Sequence, residues 1–336
     1  MTTKEKIFDM LNLHKETAVS GEKLAEACGI SRAAVWKAIQ ALRSDGFSIE
    51  GTTNGGYIYS GTNDIVKSDV VKNFLVKKYP ELKSAKVECF KTIDSTMTYA
   101  KKLLSENEKS NLDKTIIIAE SQSEGRGRLG RSFCSPDKTG IYMSIIYVPG
   151  KTMTDPGKIT AFSAVAVKRS IKKLFKVEPK IKWINDIYVN EKKVCGILTE
   201  GFTNFETGLI EAAVIGIGIN INTKKSQFST DAQKIAGSIT DKDDSGFSRS
   251  EIAAEVAGQV ISIFNEKPQK LIKEYQDSSF LTGKTVEVHP VIDDKNGVYK
   301  AKVIGINDKA ELVVKLKNGT VKELSSGEVT LHSSNL

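Results

Sequence analysis

Three glycines and three arginines fall within seven residues at Gly125-Arg126-Gly127-Arg128-Leu129-Gly130-Arg131. Glycine leaves backbone N–H groups uncovered and permits φ > 0. Arginine brings a planar fork of donors that matches carboxylate and phosphate oxygens. A loop of both kinds suits a site that must draw two anions together and then cover them. The run before it, Thr115-Ile116-Ile117-Ile118-Ala119, is continuous and mostly β-branched, so it reads as a buried strand that delivers the loop. A solvated basic turn and an RNA-contacting loop are the plainer readings. A Walker-type phosphate loop is excluded, because no Gly-Lys-Ser/Thr closes the run.

The second chemical stretch is Ile181-Lys182-Trp183-Ile184-Asn185-Asp186-Ile187-Tyr188-Val189. It is β-prone apart from Lys182, Asn185 and Asp186. A lysine amid such apolar neighbours is costly unless an anion meets it. Residues 193–200 read as its hairpin partner. The run 212–222 reads as a strand whose Gly216 and Gly218 mark close approach of a ligand or of backbone. Upstream, Asp94, Ser95 and Thr96 stand before a helix that runs to Leu104. Their hydroxyls cap that helix or meet a polar ligand at its positive end.

A third stretch is built for a groove rather than a pocket. Residues 4–14 and 21–28 read as helices, with Ser20 as N-cap and Gly29 as stop for the second. Ser31 caps a third helix through Arg43. Val35, Ala38, Ile39 and Leu42 recur at helical spacing and face a core. The other stripe holds Arg32, Ala33, Trp36, Lys37, Gln40 and Arg43, with cations for phosphates and an amide for a base edge. Helix, Gly29 turn and helix form the helix-turn-helix pattern, and residues 46–50 and 56–60 add a β-hairpin wing. The alternative is a three-helix protein–protein module. Residues 1–60 hold seven Lys/Arg and seven Asp/Glu, so DNA binding rests on the local basic stripe and not on net charge.

The remaining elements frame these stretches. Residues 61–69 read as a polar linker, with a short helix from Asp69. Strands follow at 86–90 and 140–148, a helix at about 157–174, a mobile polar loop at about 223–247, and helices at about 248–265 and 268–276. From Gly283 short alternating strands with Asn296-Gly297 and Asn318-Gly319 turns read as a small β-barrel. The 336 residues suffice for two or three domains, and 40% hydrophobic with 27% charged residues is an ordinary globular balance. No bilayer-length apolar run or signal region is expected. Four scattered cysteines and three scattered histidines give no metal-ligand spacing, so a cytoplasmic protein without membrane contact is expected. The net charge of +8 favours anionic partners.

In order and spacing, GRGRLGR, Lys182-Trp183-Ile184-Asn185-Asp186, Lys193-Val194-Cys195-Gly196-Ile197-Leu198 and Gly216-Ile217-Gly218-Ile219-Asn220 resemble the biotin–protein ligases. With the winged helix-turn-helix in front, the chain resembles the bifunctional ligase and biotin-operon repressor form, through the terminal Ser326-Gly327-Glu328-Val329. The resemblance implies an α+β chain in three domains. These are a winged helix-turn-helix at 1–62, a catalytic mixed β-sheet with helices of class II synthetase type at 63–280, and an SH3-like β-barrel at 281–336. It implies that biotin and ATP, with Mg²⁺, form biotinyl-5′-AMP, and that biotin then passes to a lysine of a biotin carboxyl carrier protein. It also implies operator DNA and a homodimer promoted by the adenylate as partners.

Residue by residue, the resemblance makes Lys182, Arg126 and Arg128 the catalytic cations. Ser95, Thr96, Met97, Gln122, Arg126, Gly127, Arg128, Lys182 and Gly196 would meet biotin. Gly125, Arg128, Arg131, Phe133, Asn185 and Asn220 would meet the nucleotide, and Ser31, Arg32, Ala33, Trp36, Lys37, Gln40 and Arg43 the DNA. Asp186 would contact metal or water, or hold a turn. Phe133 stands where such repressors often have tryptophan, Met97 where asparagine is common, and Ile184 where proline is frequent. Three rival readings are a non-catalytic ligand-sensing transcription factor, a lipoate-type ligase, and an enzyme whose helix-turn-helix serves only for packing.

Overall fold

The computed structural model describes residues 2–44, 47–52, 55–63, 66–149, 155–204, 206–241, 248–290 and 297–331. Thr2 and Glu5 form a reciprocal capping box at the start of α1 (Thr3–Leu13). Ser20 Oγ accepts the Lys23 amide at 3.1 Å to open α2 (Gly21–Cys28), and Gly29 at φ 65° ends it. Ser31 Oγ accepts the Ala34 amide at 3.2 Å at the head of α3 (Arg32–Ser44). Caps of this kind contribute about 1 kcal/mol each. β1 (Phe47–Thr52) and β2 (Gly56–Asn63) pair antiparallel as the expected wing; its tip at residues 53 and 54 lies outside the described residues. β2 runs further than the sequence suggests because Asn63 still pairs with Phe47, so the expected polar linker is partly strand. Ile7, Leu11, Leu24, Val35, Ile39, Leu42 and Tyr59 bury one another in a core of their own.

α4 (Ser68–Lys78) leads to β3 (Lys86–Ile93), α5 (Thr96–Glu106), β4 (Thr115–Gln122), β5 (Gly140–Tyr147) and α6 (Pro156–Phe175). Then come β6 (Lys180–Lys182), β7 (Asp186–Val189), β8 (Lys192–Thr203) and β9 (Ile210–Asn220). These strands make one mixed sheet in the order β3-β4-β5-β9-β8-β7-β6; β3–β4 is its parallel pair. Alternation splits its side chains between two faces. Ile116 and Ile118 join the cluster packed with α6, whereas Ile117 joins Met97, Ala100 and Leu104 of α5. β4 is therefore buried on both sides, which explains its unbroken apolar run. Each such isoleucine contributes roughly 1.5–3 kcal/mol.

α7 (Ala232–Ile235), α8 (Arg249–Ser262) and α9 (Pro268–Asp277) precede β10 (Thr285–His289), β11 (Tyr299–Ile306), β12 (Leu312–Lys315), β13 (Val321–Leu324) and β14 (Glu328–Leu331). The last five form an antiparallel sheet in the order β13-β12-β11-β10-β14. Among the described residues no ladder joins β13 to β14, so the sheet is open where the sequence suggests a closed barrel. Gly319 takes φ 89° at its expected turn; Asn296 of the other turn lies outside the described residues. Val286, Val303, Leu312 and Val329 share one core with the large sheet, and Trp183 Nε1 donates to the Ala310 carbonyl at 2.9 Å. Among the described residues no helix is long and apolar enough to cross a membrane.

Candidate active site

A cavity of about 700 Å³ lies on the α5 face of the large sheet, roofed by the glycine-arginine loop and closed at one end by Glu328 and Val329. Its floor is glycine for a steric reason. Gly196 pairs with Gly218, and Leu198 with Gly216, so all four share a face. A Cβ on Gly218 would collide with the Phe133 ring, and one on Gly216 would lie 2.5 Å from Met97 Sδ. Gly196 faces Phe133 and the Lys193 ammonium at 3.4 Å. Phe133 thus lies on the floor and meets Tyr142 edge-on at 6.3 Å.

One end is lined by polar groups from the carboxyl ends of β3 and β4. Ser95 is the N-cap residue of α5, yet its hydroxyl makes no cap bond, so capping does not explain it. Its buried Oγ has no hydrogen-bond partner. Gln122 Oε1 accepts from Thr96 N and Oγ1 at 2.9 and 3.1 Å, and its Nε2 donates to Ser135 Oγ at 2.8 Å. Gln122 therefore orients Thr96 and the loop base, while Ser95 offers the free polar atom.

The other end is cationic. The loop closes on itself through Gly127 N to Arg131 O and Phe133 N to Gly125 O, both 2.7 Å, and Gly125 is the expected ligand residue that does not line the cavity. Arg126 lines the cavity with its side chain exposed. Arg128 donates to Asn185 Oδ1 at 3.2 Å and to the Gly327 carbonyl at 3.3 Å. Arg131 grips both oxygens of Glu328. Lys182 is half-buried; burial first, then the charges of Lys193 and Arg131, push its ammonium below the ordinary lysine range against the pull of Asp186 and Glu328. Those two carboxylates are already taken, Asp186 by Lys193 at 2.7 Å and Glu328 by Arg131 at 2.5 Å. Asn220 donates to the Gly237 carbonyl at 3.2 Å, and its buried Oδ1 is without a partner.

Asp186, expected as a metal or water contact or as a turn residue, is salt-bridged to Lys193. Among the described residues no group of three or more His, Cys, Asp or Glu is arranged to hold a metal. The residues present do not form a protein cage for Mg²⁺.

Two cavity features escape the sequence reading. Lys193 looks like an ordinary strand lysine until the β7–β8 hairpin folds it over Gly196 beside Asp186. The stretch expected as a mobile loop supplies Phe228, Ser229, Asp231, Ala232, Ile235 and Ala236 to the wall. It is held there by Gly237 N to Lys193 O at 2.9 Å and by Cys134 Sγ to Gln227 O at 3.0 Å. Residues 242–247 of that expected loop lie outside the described residues.

The residues expected to meet DNA lie elsewhere, on α3 and at its Ser31 cap. Arg32, Ala33 and Lys37 are exposed, Gln40 is half-buried, and Trp36 is 55% exposed, so the wing does not cover it. Arg43 differs: its Nε donates to the Ile49 carbonyl at 2.8 Å and braces β1.

A glycine-floored sheet cavity roofed by an arginine loop, with a helix-turn-helix at the amino end, defines an acid-activating ligase core fused to a DNA-binding type of module. Residues 89–220 match the Biotin/lipoate A/B protein ligase family, and residues 3–58 match an HTH domain. The chain is similar to bifunctional biotin ligase/repressors over nearly its whole length. It is 28% identical to the bifunctional ligase/repressor BirA of Bacillus subtilis, over 98% of this chain and 99% of that one. It is 26% identical to the BirA of Escherichia coli, over 94% and 93%. In fold it is similar to the biotin protein ligase of Aquifex aeolicus, solved in complex with biotin and ATP, with TM-score 0.60 and 24% identity over 73% of this chain and 98% of that one.

Proposed function

We propose that the cavity converts biotin and ATP to biotinyl-5′-AMP and hands biotin to a lysine of a carrier protein, and that the amino-terminal unit represses genes of biotin supply in response. The relatives are named as ligase/repressors over nearly the full length of this chain. The observation that carries the reading is the polarity of one cavity, with an orphaned hydroxyl and apolar floor at one end and a cluster of cations at the other.

The chemistry follows from that polarity. A biotin carboxylate oxygen attacks the α-phosphorus of ATP, and pyrophosphate leaves. Two anions must touch, and the barrier falls when fixed cations surround the point of contact. Lys182 and Lys193 approach it from the sheet, Arg126, Arg128 and Arg131 from the loop. Ser95 Oγ and Thr96 bind the ureido ring, with Met97 and Gly216 beneath the ring system. Phe133 and Asn220 serve the adenylate. In the second step a carrier lysine amine attacks the biotinyl carbonyl, AMP leaves, and the amine loses its proton. Mg²⁺ arrives as part of the MgATP substrate, held by phosphate oxygens and water. A homodimer favoured by the adenylate would present two copies of α3 to a two-fold operator. The carboxy-terminal antiparallel sheet holds the loop through Gly327 and Glu328.

The test is incorporation of labelled biotin into a carrier domain by the purified chain with MgATP, alongside equimolar lipoate. Biotin transfer with pyrophosphate release is expected. Lipoate transfer, or none, overturns the ligase reading. A gel-shift with operator DNA, with and without biotin and ATP, tests the repressor half.

A further inference from the structure

The segment between the winged unit and the sheet is stitched to the two strands that end at the cavity. The Val66 amide donates to Glu120 Oε1 at 2.8 Å, and Glu120 Oε2 accepts from Arg249 at 2.7 Å. Both side chains of that pair are buried, at 4% and 10% exposure, so the carboxylate is held between two segments far apart in sequence. The second stitch is Ser68 Oγ, which accepts the Cys89 amide of β3 at 3.0 Å. Lys72 of α4 adds a bond to the Ala85 carbonyl at the foot of β3.

α4 serves two cores at once. Val71 and Leu75 are buried with the large sheet, Val70 with the winged unit, and Phe74 touches both. The winged unit thus meets α4 through Val70 and Phe74, and a shift of α4 would strain the stitches to β3 and β4. At their other ends those strands carry the cavity. β3 runs into Ser95 and Thr96, and β4 into Gln122 and the arginine loop. Glu120 stands two residues before Gln122, whose amide holds Thr96. Neither Glu120 nor Val66 touches the cavity, so ligand chemistry does not explain a buried charge there. Burying that carboxylate is costly without such partners.

We propose that Val66, Ser68 and Glu120 form a strap that transmits occupancy of the cavity to the winged helix-turn-helix through α4. The inference rests on the ligase and repressor reading and supplies its internal linkage. Ligand contact at Thr96 and Gln122 tightens the ends of β3 and β4, which fixes residues 66–75 and the winged unit above them. The coupling is reciprocal, so loosening the strap weakens the effect of each site on the other.

The test uses the full chain. Amide-resolved hydrogen exchange is measured with and without biotin and MgATP; exchange at Val66 and Cys89 is expected to slow by about fivefold or more on ligand binding. Val66→Pro then removes one N–H, with part of a buried side chain, and alters neither Glu120, Arg249 nor any residue lining the cavity. It is expected to form adenylate at the wild-type rate, while the ligand-dependent gain in affinity for a two-fold duplex selected by the ligand-bound chain falls about fivefold or more. Unchanged exchange at both amides in a chain that makes adenylate overturns the strap alone. So does a folded Val66→Pro chain with the full wild-type gain. A wild-type chain that makes no adenylate, or whose DNA affinity ignores ligand, fails the underlying reading instead. If Val66→Pro does not fold, the exchange measurement decides.

Discussion

Glu328, at the start of β14, holds Arg131 of the glycine-arginine loop by its two terminal guanidinium nitrogens, which donate at 2.7 and 2.5 Å. The pair joins the roof of the cavity to the carboxy-terminal sheet. Arg131 is largely exposed, so the bond contributes little to stability. Its consequence is positional. Glu328→Gln is expected to leave the melting temperature within about 2 °C and to raise the KM for ATP about threefold to tenfold, because the loop loses its anchor. Pyrophosphate exchange at varied ATP reads this; an unaltered KM would remove the anchoring role. The Arg131 hydrogen bond, then its charge with those of Lys182 and His289, holds the Glu328 carboxyl below its ordinary value of 4.5. A depressed carboxylate favours the folded clasp above that value, and the contribution disappears as pH falls through the lowered one.

Asp186 and Lys193 give the second prediction. A metal-ligand role for Asp186 predicts that Asp186→Asn raises the Mg²⁺ requirement. The ion pair predicts otherwise. Asp186→Asn and Lys193→Met should each slow adenylation, by about 10²-fold for the lysine. The double variant should be no slower than Lys193→Met, because the two act as one unit. Single-turnover adenylation across an Mg²⁺ titration distinguishes the two: additive losses with a shifted Mg²⁺ midpoint would restore the metal role.

Lys182 supplies a pH signature. Its ammonium must be charged to hold two anions together, and burial lowers its pKa below 10.5. The sign is definite. Charge, and with it kcat/KM, is lost as pH rises, beginning lower than for an exposed lysine. The kcat/KM profile reports the free enzyme, which is the state described here. Lys182→Arg should move the alkaline limb upward, since guanidinium stays charged. Lys182→Ala should cost about 10³-fold. A wild-type alkaline limb no lower than that of Lys182→Arg would contradict this.

Much of this was legible because chemistry and local propensity agree. β4 announces itself by five consecutive apolar or β-branched residues, and α3 by Val35, Ala38, Ile39 and Leu42. Arg126, Gly127, Arg128 and Arg131 stand out by type, since GRGRLGR has no plausible role in a core, whereas Met97, Gln122, Phe133, Asn185, Gly196 and Asn220 are reached only through the family resemblance. What stayed hidden depends on long-range closure. Lys193 acquires meaning only when β7 and β8 place it beside Asp186. The stretch 228–236 has loop composition, and only its bonds to Lys193 and Cys134 turn it into a wall. Arg43 has the right type for phosphate contact, but the wing's carbonyl at Ile49 takes its Nε.

Gly218 tests whether the floor is set by Phe133. A methyl group there meets the ring directly. Gly218→Ala should destabilise the chain by about 1–3 kcal/mol, as overpacking does. In a Phe133→Ala background the same change should be close to neutral, and urea denaturation of the four chains gives the cycle. Equal costs in both backgrounds would place the clash elsewhere.

The exposed stripe of α3 makes a prediction about salt. Residues 1–60 carry no net charge, so any DNA affinity must come from a few placed cations. Arg32 and Lys37 project freely, whereas Arg43 is spent on the wing. If each of the first two neutralises one phosphate, Arg32→Ala and Lys37→Ala each reduce the slope of log K against log salt by about 0.9. Arg43→Ala should change the slope less and instead lower the melting temperature of the winged unit, because β1 loses its brace. Trp36, bare beside Ala33, should alter sequence preference without altering the slope, since an apolar side chain reads thymine methyls and releases no counterions. Fluorescence anisotropy at stepped salt on operator and scrambled duplexes separates these effects. Equal slopes for all four variants and the parent would show that α3 does not face DNA, and would leave the helix-turn-helix as a packing module.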